Sequence, residues 1–153
     1  MYSMRMLVMA TVTVAFFGCA TSPKPGDVTH AQVIMVVGDW LYQRVASRDQ
    51  YEILNNPPRT RAIQDAIDAG VSIEDVREGR LVLSSCRYGT DSGYSFVTLL
   101  PKGVVLPPGA RVELELVAGS PYSAGRPGTL SEFRRVLPAR PQGRTDCFPE
   151  TGS

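Results

Sequence analysis

The chain has 153 residues, 16 Lys and Arg against 15 Asp and Glu, and a formal charge of +1, with 43% of its residues hydrophobic. That balance argues against a nucleic-acid binder, which presents a strongly basic face. The length suits one compact domain with a real core and is too short for two comfortable ones.

The N-terminus carries a single charge, Arg5, and no acidic residue before a run from Met6 to Phe17 in which every residue is apolar or threonine. At about 12 residues the run has the length of a secretory h-region and falls short of the ~20 that span a bilayer. Small Gly18 then precedes Cys19, and Thr21-Ser22-Pro23-Lys24-Pro25-Gly26-Asp27 follows abruptly. A buried helix would not need a charge-free run that stops in this way. Ending in Val14-Ala15-Phe16-Phe17-Gly18-Cys19, the segment resembles the signal peptides of bacterial lipoproteins, whose lipobox closes on a small residue and the lipid-bearing cysteine. The resemblance covers about the first 20 residues. It implies that 1–18 is removed and that Cys19 becomes a diacylated or triacylated first residue. Residues 19–27 would then form a tether, and 28–153 a single domain with a loop-rich C-terminal segment. Ala20, where Asp would signal retention, points to the outer membrane and a domain facing the periplasm. Loss of Arg5 with the leader brings the mature charge to zero.

Export leaves Cys86 and Cys147, and an even pair in an oxidising compartment reads as one disulfide. It would close a loop of roughly 60 residues, worth about 4 kcal/mol in the chain-entropy model. Its expected task is to staple a Pro/Gly-rich C-terminal segment onto the domain.

In chain order, Ala31 to Val37 is rich in β-branched residues and fits a buried strand. Gly38-Asp39 could turn a hairpin into Trp40 to Ala46, although Val33, Ile34, Val37, Trp40, Leu41 and Val45 also satisfy a helical template. The β-branching and the glycine favour strands. Asn56-Pro57-Pro58 opens the clearest helix, with Ala62, Ile63, Ala66 and Ile67 as its apolar stripe and Gly70 as its stop. Ser72 caps a short turn with Asp75 three residues on, and Gly79 ends it. Period-two patterning then predicts strands over Arg80 to Tyr88, Tyr94 to Leu100 and Ala110 to Ala118, with Val104 to Leu106 as a short extra one. In the third of these, Val112, Leu114 and Leu116 face inward, and Glu113 and Glu115 are expected in water. Phe133 to Leu137 reads as a last strand.

No constellation stands out as a catalytic centre. Glu113 and Glu115 lie on one strand face about 7 Å apart, a glycosidase-like separation, but a solvated face is the commoner setting. Glu74, Asp75 and Glu78 cluster where a helix N-terminus favours acids, without the spacing of a calcium loop. The single histidine, His30, sits beside the tether, and no Gly-x-Ser-x-Gly elbow or phosphate-binding glycine loop is present. Phe133 to Arg140 is mildly basic and could meet an anionic surface or be a solvated edge. Tyr88, Tyr94 and Tyr122 lie in or beside loops, where aromatics serve ligands or simply line a rim.

These readings converge on a single α+β domain: a small, mostly β, antiparallel sheet or partly open barrel, with strand spacing like that of OB or SH3 barrels and one or two short helices. The expected role is a non-enzymatic lipoprotein acting as an interaction or envelope-assembly module. It would contact the membrane through Cys19 and an envelope protein through its domain, with no cofactor, metal or nucleic acid. A small-ligand or glycan-binding barrel and an envelope hydrolase are the alternatives.

Overall fold

A computed structural model describes residues 22–48, 57–90, 92–107, 111–120, 128–138 and 145–149. Along them run β1 (Val28–Val36), α1 (Asp39–Ala46), α2 (Pro57–Asp68), α3 (Ile73–Arg77), β2 (Leu81–Tyr88), β3 (Ser92–Leu99), β4 (Val112–Val117) and β5 (Glu132–Pro138). The expected leader, Cys19, the Asn56 cap, Tyr122 and Arg140 lie outside the described residues.

The five strands form one antiparallel sheet in the order β3-β2-β1-β4-β5. β1 is its hinge: Val28–Gln32 pair with β4, and Gln32–Val36 with β2. The sheet curls so that its two edge strands meet at one point. There Ser131 pairs in parallel with Thr98 and donates its backbone N–H to the Val97 carbonyl at 3.0 Å. The result is the small, partly open α+β barrel that the strand spacing predicted.

Register decides which residues share a face, because successive side chains alternate. Val82, Cys86, Phe96, Leu114, Leu116 and Ala31 occupy one face and form a buried cluster with Leu100, Ala118 and Cys147. Leu81, Leu83 and Val97 point the other way, against Val37, Leu41 and Val45 of the α1 region, Ile63 and Ala66 of α2, and Val71 and Val76 around α3. All three helices thus lie in the β1–β2 connection and cover the β2–β3 half of one sheet face. Each large side chain buried there contributes about 1.5–3 kcal/mol.

The hairpin expected at Gly38-Asp39 is instead the start of α1. Gly38, at φ −96° and ψ 168°, is the N-cap; Asp39 lies in the first turn and Arg44 in the last. After Gly38 only Val45 is β-branched, while Leu41, Gln43, Arg44 and Ala46 are good helix formers. The i,i+4 pair Leu41 and Val45 is buried, which alternation along a strand would not have achieved. α3 carries the predicted capping box: Ser72 Oγ accepts the Asp75 N–H, and the Asp75 carboxylate accepts the Ser72 N–H. Gly70 (φ +104°) and Gly79 (φ +73°) take up the left-handed conformations that end these helices. Val104 to Leu106 is not a strand: Val104 donates back to Pro101, Val104 and Leu106 pack half-buried on the second cluster, and Val105 is exposed.

Two connecting segments are more closely attached than their composition suggested. Pro23 is buried, and Gly26 and Asp27 exchange backbone bonds with Ala118, both at 2.9 Å, which extends the β1–β4 pairing. At the other end of the chain Cys86 and Cys147 are bonded, Cα atoms 4.8 Å apart, and residues 145–147 enter the sheet itself.

Candidate functional site

The most concentrated polar arrangement lies on β4, where the sequence placed two solvated carboxylates. Glu113 and Glu115 are only 3% and 8% exposed. The expectation of a wet face is overturned because side chains from β1, β5 and the C-terminal segment (His30, Arg134, Arg135 and Thr145) close over it. His30 stands directly opposite Glu115 in the register. The His30 N–H is directed away from β4, to the Cys147 carbonyl, so the two residues form the non-hydrogen-bonded kind of pair, in which side chains come closest. Their Nε2 and Oε2 atoms are 3.2 Å apart.

On the other flank β5 is irregular: Arg135 opposes Glu115, but the next pair joins Leu116 to Phe133, leaving Arg134 as the extra residue. A bulge of this kind re-aims a side chain. Here both arginines converge on Glu115, Arg135 Nη2 donating to Oε2 at 2.9 Å and Arg134 Nε lying 3.6 Å from Oε1. The Arg135 hydrogen bond, helped by His30 and the charge of Arg134, holds the Glu115 carboxyl below its ordinary value of 4.5 against the opposing cost of burial. Glu113 accepts the Thr145 hydroxyl at 2.9 Å, so the C-terminal segment reaches the same face.

Chemically, Glu115 is ion-paired with Arg134 and Arg135 and in hydrogen-bonding contact with His30. The other acidic cluster is held by a helix cap. Asp75 is lowered first by the Ser72 backbone N–H of its capping box, and it receives Arg80 at 2.6 Å. Arg80 also donates to the Leu100 carbonyl, tying α3 to the end of β3. Among the described residues no three His, Cys, Asp or Glu side chains gather as metal ligands would.

A shallow cleft opens between α2, β3 and the base of the β4–β5 hairpin, lined by Asp65, Tyr94, Ser95, Ser120, Thr129 and Ser131 among others. Its floor is built by close backbone approach at Gly119. A Cβ there would run into the carbonyl oxygens of Thr129 and Leu130, while the Gly119 and Ser120 N–H groups are taken by Ser131 Oγ and Thr129 Oγ1. Asp65 accepts the Gly128 N–H at 2.9 Å and pins the hairpin to α2. The volume, about 40 Å³, is that of a few waters and not of a metabolite. Tyr94 lies over Phe96 with ring centroids 4.9 Å apart, and burial pushes its phenol above 10.0.

The remaining feature is a surface. Ile34, Met35 and Val36, the last residues of β1, are 37–42% exposed, and Trp40, two residues past Gly38, is 58% exposed. Met35 and Val36 stand opposite Leu83 and Val82 and so lie on opposite faces of the sheet, which makes this an exposed apolar strand end followed by Trp40 and not one continuous patch. The Arg44 guanidinium sits 5.2 Å over the Trp40 ring, one helical turn on. Sequence reasoning missed this surface because it assigned the same residues to a buried hairpin. The helix cap at Gly38 was the signal that could have revealed it. Compared with protein-family models, with curated proteins and with solved structures, the chain matches none.

Proposed function

We propose that this protein is a bacterial envelope lipoprotein, anchored through an acylated Cys19 in the outer membrane and facing the periplasm, whose domain is a non-enzymatic interaction or assembly module. The observation that carries the reading is the Cys86–Cys147 bond. It suits an oxidising compartment and uses both downstream cysteines, so Cys19, directly behind a short apolar run and Gly18, is the remaining one. Two or three acyl chains on one cysteine hold stably, where a single chain binds only marginally.

Docking of Pro23 and Gly26 on the domain shortens the tether. Three residues separate Cys19 from Pro23, so the four steps between them reach at most about 14 Å. The domain would stay close to the bilayer, which raises its effective concentration for any partner there. β1 extends about 26 Å from Val28, near the tether, to Val36. The exposed Ile34, Met35 and Val36, with Trp40 just beyond, lie at the far end of that strand, which supports a periplasmic protein partner. The small cleft lends no support to a glycan or metabolite site, and the lowered pKa of the Glu115 carboxyl, which weakens it as a base, lends none to a hydrolase.

Mass spectrometry of detergent-extracted protein tests the anchor: the expected N-terminus is acylated Cys19, and Cys19→Ser should leave the protein unacylated. An intact Met1, or an unmodified soluble form alone, overturns the reading.

A further inference from the structure

β1 and β2 are neighbours in the sheet, yet their pairing stops at Gln32 and Ser85. Beyond that point the two strands splay, and His30 on one side and Arg87 on the other face a slot. Residues 145–147 fill it. The Arg87 N–H donates to the Thr145 carbonyl at 2.8 Å, and the Cys147 N–H to the Arg87 carbonyl at 3.0 Å. On the opposite side the His30 N–H donates to the Cys147 carbonyl at 3.0 Å. The segment runs parallel to β2, with Asp146 bridging to Arg87. It is a short inserted strand that satisfies groups on both walls. Thr145 and Cys147 are buried, 4% and 0% exposed.

We propose that this slot is a strand-accepting site, filled in cis by the chain's own C-terminus, and that the disulfide is its latch. Three backbone bonds, the Thr145–Glu113 contact and the exposed Arg87–Asp146 pair only about balance the ordering of the segment, since each residue costs about 1–2 kcal/mol of backbone entropy and each bond returns about 0.5–1.5 kcal/mol. The covalent bond from Cys147 to Cys86, on the β2 wall, removes most of that cost by confining the segment beside its slot. Closing the latch takes two thiols to one S–S bond, while an incoming disulfide from the oxidising compartment is reduced to two thiols. Opening it with a dithiol reverses the exchange. With the latch open, the segment leaves and three groups face solvent: the His30 N–H, the Arg87 N–H and the Arg87 carbonyl. The strand that re-pairs them is the returning segment 145–147. Because the Glu113 and His30 ends of the ion-pair face both contact the segment, that face loosens with it.

The test is native-state amide hydrogen exchange, read residue by residue on the full mature chain. Three forms are compared: oxidised, reduced with dithiothreitol, and the Cys86→Ala/Cys147→Ala variant. The expected result is exchange at least about 100-fold faster at His30, at Arg87 and at position 147 in the two bond-free forms, with Leu83 and Phe96, inside the β1–β2–β3 ladder, changing less than about threefold. Retained protection at His30 and Arg87 overturns the proposal, since the segment would then hold without its latch. Loss of protection at all five positions together, or failure of the bond-free forms to fold, overturns it too, because the bond would then be a staple for the whole domain. Thr145→Val with the bond intact provides a further arm: His30 and Arg87 should stay protected to within about tenfold, and a larger loss shows that the contacts, and not the latch, retain the segment. None of these readouts depends on acylation of Cys19, so the latch and the anchor fail separately.

Discussion

One face of the sheet is covered in two different ways. Over β2 and β3 it presents Leu81, Leu83 and Val97 to the three helices, and the contact is apolar throughout. Over β1, β4 and β5 the register continues the same face through Gln32, His30, Glu113, Glu115 and Arg135. There the cover is made of ion pairs and a threonine hydroxyl. Apolar burial is non-directional and grows with area, so the helical half needs only the right volumes. The polar half needs particular partners at particular distances, and a bulge in β5 is part of how it finds them. Alternation along a strand identifies residues that share a face; it does not say what will lie on top of them.

The largest difference between the halves should appear on truncation. Leu83→Ala, at a position 2% exposed beneath the helices, should cost about 2–5 kcal/mol in denaturant unfolding. A cost under about 1 kcal/mol would mean that the helices are not the main cover of that half. Glu115→Gln should cost less, about 1–2 kcal/mol, because its arginine partners are 49% and 64% exposed and keep their hydration when the charge goes.

That second variant also has a pH signature. The folded carboxyl of Glu115 lies below its ordinary value of 4.5, so between the two values the unfolded chain binds more protons. The stabilisation is complete above about pH 4.5 and disappears as pH falls through the depressed folded value. Urea melts of wild type and Glu115→Gln should therefore differ at pH 6 and draw together as the pH falls below about 4.5. A difference that persists at low pH would show that packing, and not charge, holds the residue.

Smaller still is Ser72→Ala, which removes the acceptor of the Asp75 N–H from the capping box and should cost about 1 kcal/mol, confined to the helical half. Amide exchange that accelerates around α3 but not in β4 would sharpen the contrast between the halves. Trp40→Ala should change stability by less than about 0.5 kcal/mol, since the ring is 58% exposed. Its effect belongs in partner capture: photo-crosslinking from position 40 in native envelopes should yield a discrete product that Trp40→Ala in the same background loses. No product would remove the support this surface lends to the interaction reading.

Much of the framework was legible from local chemistry. The helix over 57–68, the Ser72–Asp75 cap, the strands β2 to β5 and the Cys86–Cys147 bond each follow from signals within a few residues, or from a count of cysteines. Residues 39–46 misled because an apolar pattern around Gly38 fits both periods, and the burial of Leu41 and Val45 against α2 and α3 decided for a helix. The proposed address, read from an apolar run that stops at Gly18 just before Cys19, rests on the sequence alone. What only the tertiary structure decided was neighbourhood. Glu115 meets His30 across 85 residues of chain, Ile34, Met35, Val36 and Trp40 are left exposed, and Thr145 to Cys147 lies between two strands as a third. The physical reason is that propensity, capping and alternation act within a turn or a pleat, whereas burial and pairing depend on which distant strand comes alongside.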